Sequence, residues 1–117
     1  MEAEFGLPQW LFGMSTYAFE SEQRLICAFA RKGIWQLADI DLAAGQYKVI
    51  ETPYTDIAYL RATADTAVFV GGTASQPASI IRLDLTSRVP EVLRRSSRVE
   101  IDAGFISNPQ TIEFPTA

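Results

Sequence analysis

Histidine is absent from the 117 residues of this chain, and cysteine occurs once, as Cys27. The first absence removes the commonest general base, the commonest metal ligand, and every Ser-His-Asp or Cys-His arrangement. The second rules out an intrachain disulfide and leaves a thiolate metal site without partners. Cys27 stands in the apolar run Leu25-Ile26-Cys27-Ala28-Phe29 with no neighbour to stabilise a thiolate, so a small buried core residue is its expected role. Basic residues are also few. Ten Lys and Arg against fourteen Asp and Glu give a net charge of -4, which opposes the counterion release that duplex binding requires; no nucleic-acid partner is expected. No apolar run approaches the roughly 18 to 20 residues that span a bilayer, and Met1-Glu2-Ala3-Glu4 lacks the basic and apolar regions of a signal peptide. The expectation is a soluble, cytoplasmic chain with no membrane partner.

What the sequence has is apolar content of 48%, enough for a core, cut into short pieces by Gly, Pro and polar breaks. Arg24 to Ala30 is a short apolar run ended by Arg31-Lys32-Gly33, and Ile34 to Leu42 resumes at strand length. After Ala43-Ala44-Gly45-Gln46, the segment Tyr47 to Glu51 alternates with period two until Thr52-Pro53 stops it. Thr16 to Phe19 supplies a short fourth strand ahead of these three. No window of a dozen residues keeps a helical period without interruption, although Asp65 to Gly71 alone is ambiguous.

The same order then recurs. Thr16-Tyr17-Ala18-Phe19 aligns with Ala58-Tyr59-Leu60-Arg61, and Arg24-Leu25-Ile26-Cys27-Ala28 with Thr66-Ala67-Val68-Phe69-Val70, both at an offset of 42. Ile40-Asp41-Leu42 aligns with Leu83-Asp84-Leu85, and Val49-Ile50 with Val92-Leu93, at an offset of 43. Four short strands repeated about every 40 to 45 residues are the signature of a propeller blade. Leu25 to Ala30 and Ala67 to Val70 are apolar on both parities, as strands covered on both faces should be, whereas Tyr47 to Glu51 and Glu91 to Arg94 regain charges. The predicted fold is all-β, about two four-stranded antiparallel β-propeller blades, with Tyr17 superposing on Tyr59 and Asp41 on Asp84. The expected divisions are 1–15 as the end of a preceding blade, 16–55 as blade one, 56–98 as blade two, and 99–117 as an extended connector.

Several residues invite sharper readings. Asp41 and Asp84 recur at one blade position, but one carboxylate per blade falls far short of the six to eight oxygens Ca²⁺ takes, and hairpin turns explain them better. Gly71-Gly72 resembles the double glycine of kelch blades; the first copy has Phe29-Ala30 there, so a strand-ending turn is preferred. Neither copy carries the WD40 Trp-Asp or Gly-His signatures. Arg94-Arg95-Ser96-Ser97-Arg98, the one basic cluster, reads as a solvated loop, or more sharply as a contact to another domain or to an anion. Trp10, Trp35, Tyr47, Tyr54 and Tyr59 are expected to pack between blades rather than form a ligand surface. No catalytic, cofactor-binding or metal-ligating residue is assigned, and no cofactor is expected.

Trp10 to Tyr17, the connection Glu51 to Ile57, and Ile106 to Thr116 together resemble the last part of the propeller in bacterial prolyl-oligopeptidase-family serine peptidases of the dipeptidyl or acylaminoacyl type. The resemblance covers essentially the whole chain. It implies a non-catalytic portion that gates and orients peptide substrates for an α/β-hydrolase domain lying beyond residue 117, that domain and its peptides being the partners. The family's nucleophile sits in a Gly-x-Ser-x-Gly elbow followed by Asp and His, and this sequence has neither the elbow nor a His, so no catalytic residue carries over. An independent β-rich interaction module without activity is the alternative. Two blades without neighbours leave apolar faces open, and the isolated chain is expected to self-associate as a homo-oligomer.

Overall fold

The computed structural model describes residues 2–8, 10–110 and 112–115; Met1, Gln9, Thr111, Thr116 and Ala117, which fall in the expected first and last segments, lie outside the described residues. Among the described residues, eight strands form two four-stranded antiparallel sheets, each a meander in chain order. The first holds β1 (Tyr17–Phe19), β2 (Arg24–Arg31), β3 (Ile34–Asp41) and β4 (Gln46–Ile50). The second holds β5 (Asp56–Thr63), β6 (Thr66–Thr73), β7 (Gln76–Asp84) and β8 (Pro90–Arg95). Asp65 to Gly71, ambiguous in sequence, lies in the β5–β6 hairpin. Among the described residues of the last segment, the regular structure is a 3-10 turn at Ala103–Phe105.

The turns follow local chemistry. Lys32 and Gly33 both adopt positive φ, 53° and 75°, the mirror-image turn whose twist suits a two-residue hairpin between β2 and β3. Asp41 Oδ1 accepts the N–H groups of Ala43 and Ala44, each at 2.9 Å, and Asp84 Oδ1 accepts those of Thr86 and Ser87 at 3.0 and 2.7 Å. Both carboxylates therefore serve as turn acceptors at the same place in their sheets.

The repeat is visible in the register. Arg24 faces Asp41 as Thr66 faces Asp84, and Cys27 faces Ala38 as Phe69 faces Ile81. The match of Tyr17 to Tyr59 is broken by a bulge between Ala58 and Arg61, where Tyr59 takes φ 55° and Leu60 N–H is freed to donate across to Ser15 O at 3.0 Å. The expected turn at Gly71-Gly72 is overturned: both glycines lie inside β6, and the chain reverses at Ala74-Ser75. A Cβ on Gly71 would stand 2.9 Å from the rings of both Phe69 and Tyr54, so the glycine makes room for an aromatic pair.

The main core lies between the sheets. Ile26, Ala28, Leu37 and Ile50 of the first meet Ile57, Leu60, Ala67, Phe69, Ile81 and Leu83 of the second, with Trp35 and Tyr54 packed against them. Each large side chain so buried contributes about 1.5–3 kcal/mol. The other face of β2 carries Cys27 and Phe29, which with Ala38 form a second cluster joined by Ala3, Ile40 and Val49. Phe5 stacks on Phe29 with ring centroids 5.7 Å apart, and Glu4 exchanges two backbone hydrogen bonds with Ala30 at 2.9 and 2.7 Å. Leu25 to Ala30 is thus covered on both faces. Ala67 to Val70 departs from the expectation: Ala67 and Phe69 are buried, but Val68 and Val70 are only partly so, because none of the described residues covers their side of the second sheet. The outer strands β4 and β8 are mostly exposed.

Candidate functional site

The densest charge chemistry gathers where the two sheets meet. Asp39, on β3, faces the second sheet because it pairs across with Ile26, a core residue. Its carboxylate accepts from Arg24 Nη2 on the neighbouring strand and from Arg88 Nη2, at 2.9 Å, on the β7–β8 turn of the other sheet. Arg88 takes φ 63° in that turn. Glu20, just past β1, adds a carboxylate 3.6 Å from Arg24, with its side chain 7% exposed and its Oε2 lacking a hydrogen-bond partner among the described residues.

Burial pushes the Asp39 carboxyl up, but the hydrogen bonds and charges of Arg24 and Arg88 outweigh it and hold the group below the usual carboxylate range. The bond to Asp39 in turn raises Arg24 above its ordinary value despite burial. An acid held ionised this firmly is poorly suited to proton transfer near neutral pH. The cluster can orient the sheets and hold charge.

The residues singled out from sequence scatter. Cys27 is 3% exposed, and burial pushes its thiol up. Trp35 and Tyr54 enter the inter-sheet core as expected, but Trp10, Tyr47 and Tyr59 are exposed and join no aromatic surface. Arg94, Arg95, Ser96 and Arg98 are exposed, Arg94 and Arg95 closing β8. Among the described residues no group of three His, Cys, Asp or Glu side chains could hold a metal, and no helix is long and apolar enough to cross a membrane. Sequence reasoning missed the Asp39 cluster, whose members lie 15 and 49 residues apart. A signal existed: Asp39 and Lys48 occupy the repeat positions of Arg82 and Glu91, with charges reversed.

Two four-stranded meanders, packed face to face in tandem and repeating every 42 or 43 residues, are successive β-propeller blades. The chain is similar over 94% of its length to a puromycin-hydrolyzing peptidase of Mycobacterium tuberculosis, with a TM-score of 0.85 and 32% identity. A puromycin hydrolase matches 86% of the chain with a TM-score of 0.71 and 23% identity, a likeness of fold. The chain spans only 17% and 15% of those two structures. No family model matches it, and no curated protein does. The resemblance to the propeller portion of prolyl-oligopeptidase-type peptidases, read from the sequence, holds in three dimensions.

Proposed function

We propose that this chain is the non-catalytic propeller portion of a serine peptidase, gating and orienting peptide substrates for a hydrolase domain encoded beyond residue 117. The carrying observation is the match of 94% of the chain, at a TM-score of 0.85, to a small part of a puromycin-hydrolyzing peptidase. The all-β core and the lack of histidine agree with a part that shapes access while another part does chemistry. A cytoplasmic location belongs to this reading.

The test is the native reading frame and its product. The frame should run on into a Gly-x-Ser-x-Gly elbow followed by Asp and His, and the full-length protein should hydrolyse peptide substrates, puromycin being the first to try. Residues 1–117 alone should give no hydrolysis above buffer and no site-specific labelling by a serine-directed phosphonate. A frame that stops near residue 117 would favour the independent interaction module instead.

A further inference from the structure

The inner edges of the two sheets are built differently. The sheets come together at β1 and β5, while β4 and β8 lie outward and mostly exposed, so the first strand of each borders the central channel of a propeller. Between Glu4, opposite Ala30, and Ala18, opposite Ile26, the first sheet spends thirteen residues, 5–17. The second covers the equivalent stretch, from Asp56 opposite Gly72 to Arg61 opposite Val68, with four, 57–60, its bulge included. The surplus forms a loop with Trp10, Leu11 and Phe12 at its tip.

That tip stands off the sheet that carries it. Trp10 and Phe12 are 86% and 105% exposed, and a hollow of about 800 Å³ separates the tip from Phe5, Leu7 and Tyr17. The returning stem is fastened to both inner edges: Ala28 N–H donates to Thr16 O at 2.6 Å in the first sheet, and Arg61 Nη2 and Leu60 N–H of the second donate to Gly13 O and Ser15 O at 2.8 and 3.0 Å. The loop also lies toward one end of the blades. Glu4 and Thr16 bond Ala30 and Ala28, in the half of β2 that runs into Lys32-Gly33. The connector lies at that same end, where Asn108 and Pro109 share a hollow with Gly33 and Ala74, and Lys32 Nζ stands 3.2 Å from Glu113 Oε1.

We propose that Trp10, Leu11 and Phe12 form an apolar constriction in the channel mouth on the side of the hydrolase domain, which admits short peptides and excludes long ones. The inference rests on the proposed peptidase reading and deepens it by naming the element that selects. A short peptide fits between the tip and the hydrolase domain. A longer one has to run past the tip, where bulky side chains occupy its path, and Leu11 and Phe12 have no polar atom to replace the water on its backbone N–H and C=O groups.

The test uses the full-length native protein and two substrates with the same first residues, a tripeptide amide and a peptide of about twenty residues, which at about 3.3 Å per residue is longer than the 47 and 45 Å extents of these blades. The native protein should favour the short one. Replacing the tip by Trp10→Ala, Leu11→Ala and Phe12→Ala together should raise kcat/KM on the long peptide about tenfold and leave the short one within about twofold. An unchanged ratio overturns the proposal, and so does an equal fall at both lengths, which would make the tip a docking contact for the hydrolase domain. Benzoylphenylalanine in place of Phe12 gives a readout independent of turnover and of the triple variant's folding. On irradiation it should crosslink to the long peptide and not to the short one; crosslinks to protein alone with the long peptide bound overturn the proposal. A full-length protein that cleaves peptides without this length dependence sinks this inference alone, whereas one that cleaves no peptide sinks the peptidase reading and the inference with it.

Discussion

Arg88 and Asp39, 49 residues apart and on different sheets, are joined at 2.9 Å, and Arg24 shares the same carboxylate. The pairing fixes how one blade sits on the next at the end where β3 and β7 finish. Apolar burial between the sheets is non-directional and tolerates sliding. A charge pair with two donors on one acceptor does not.

Removing that acceptor should therefore cost more than removing a donor. Asp39→Asn, at a side chain 12% exposed, should destabilise the chain by about 1–3 kcal/mol in urea unfolding, because two guanidinium groups lose their anion. Arg88→Ala, a third exposed, should cost less than about 1 kcal/mol. The double variant should cost less than the two single losses added; additivity would show that the pair is not coupled.

Acid should weaken the fold through the same group. A carboxyl held low in the folded state adds stability above its unfolded value of about 4, and that stability is lost as pH falls through the lower folded value. Asp84, held low by the backbone N–H and hydroxyl of Ser87, contributes in the same window. Unfolding free energy should be flat from pH 7 to about 5 and decline below about 4, and D39N should shrink the decline. An unchanged slope in D39N would locate the acid sensitivity elsewhere.

Neighbouring glycines should respond differently. Gly71→Ala, whose Cβ would stand 2.9 Å from Phe69 and Tyr54, should cost about 1–3 kcal/mol. Gly72→Ala has nothing nearer than 3.6 Å and should cost less than about 1 kcal/mol. Equal thermal shifts in the two variants would contradict the close packing of the Tyr54–Phe69 pair.

Cys27 should be silent toward a thiol reagent such as dithionitrobenzoate at pH 8 and react stoichiometrically once urea unfolds the chain, since it is buried and its thiol is pushed up. Fast labelling of the native chain would mean that the cover over the first sheet, including Phe5, opens readily.

The order of strands was legible because each is a short apolar run closed by a residue with an evident turn role, Gly33, Asp41 or Asp84. The repeat was legible because Asp41 and Asp84 mark the same turn. Tyr59 was not, since a bulge inserts its irregularity without any glycine to announce it. Gly71-Gly72 misled because a glycine pair signals a turn by backbone freedom, whereas here its lack of a side chain serves Tyr54 and Phe69. The Asp39 cluster escaped because each member, read alone, is an ordinary charge on an alternating strand or turn; only the stacking of the sheets brings Arg88 within reach.

The inner edge of the first sheet is made twice over, by Tyr17–Phe19 along one half of β2 and by Glu4 along the other, with the Thr16 hydroxyl donating to Phe5 O at 2.8 Å where the two meet. The chain between them leaves the sheet and comes back to nearly the same point, so it is a tied loop whose length the sheet does not dictate. Doubling such a loop costs only about 0.6 kcal/mol in closure entropy. Further on the loop is held to the second sheet, where Arg61 Nη2 donates to Gly13 O at 2.8 Å and Leu60 N–H to Ser15 O at 3.0 Å, so it is around the exposed Trp10, Leu11 and Phe12 that side chains can be exchanged or a segment inserted while both blades stay as they are. This is the place on the molecule where new surface is cheapest to acquire.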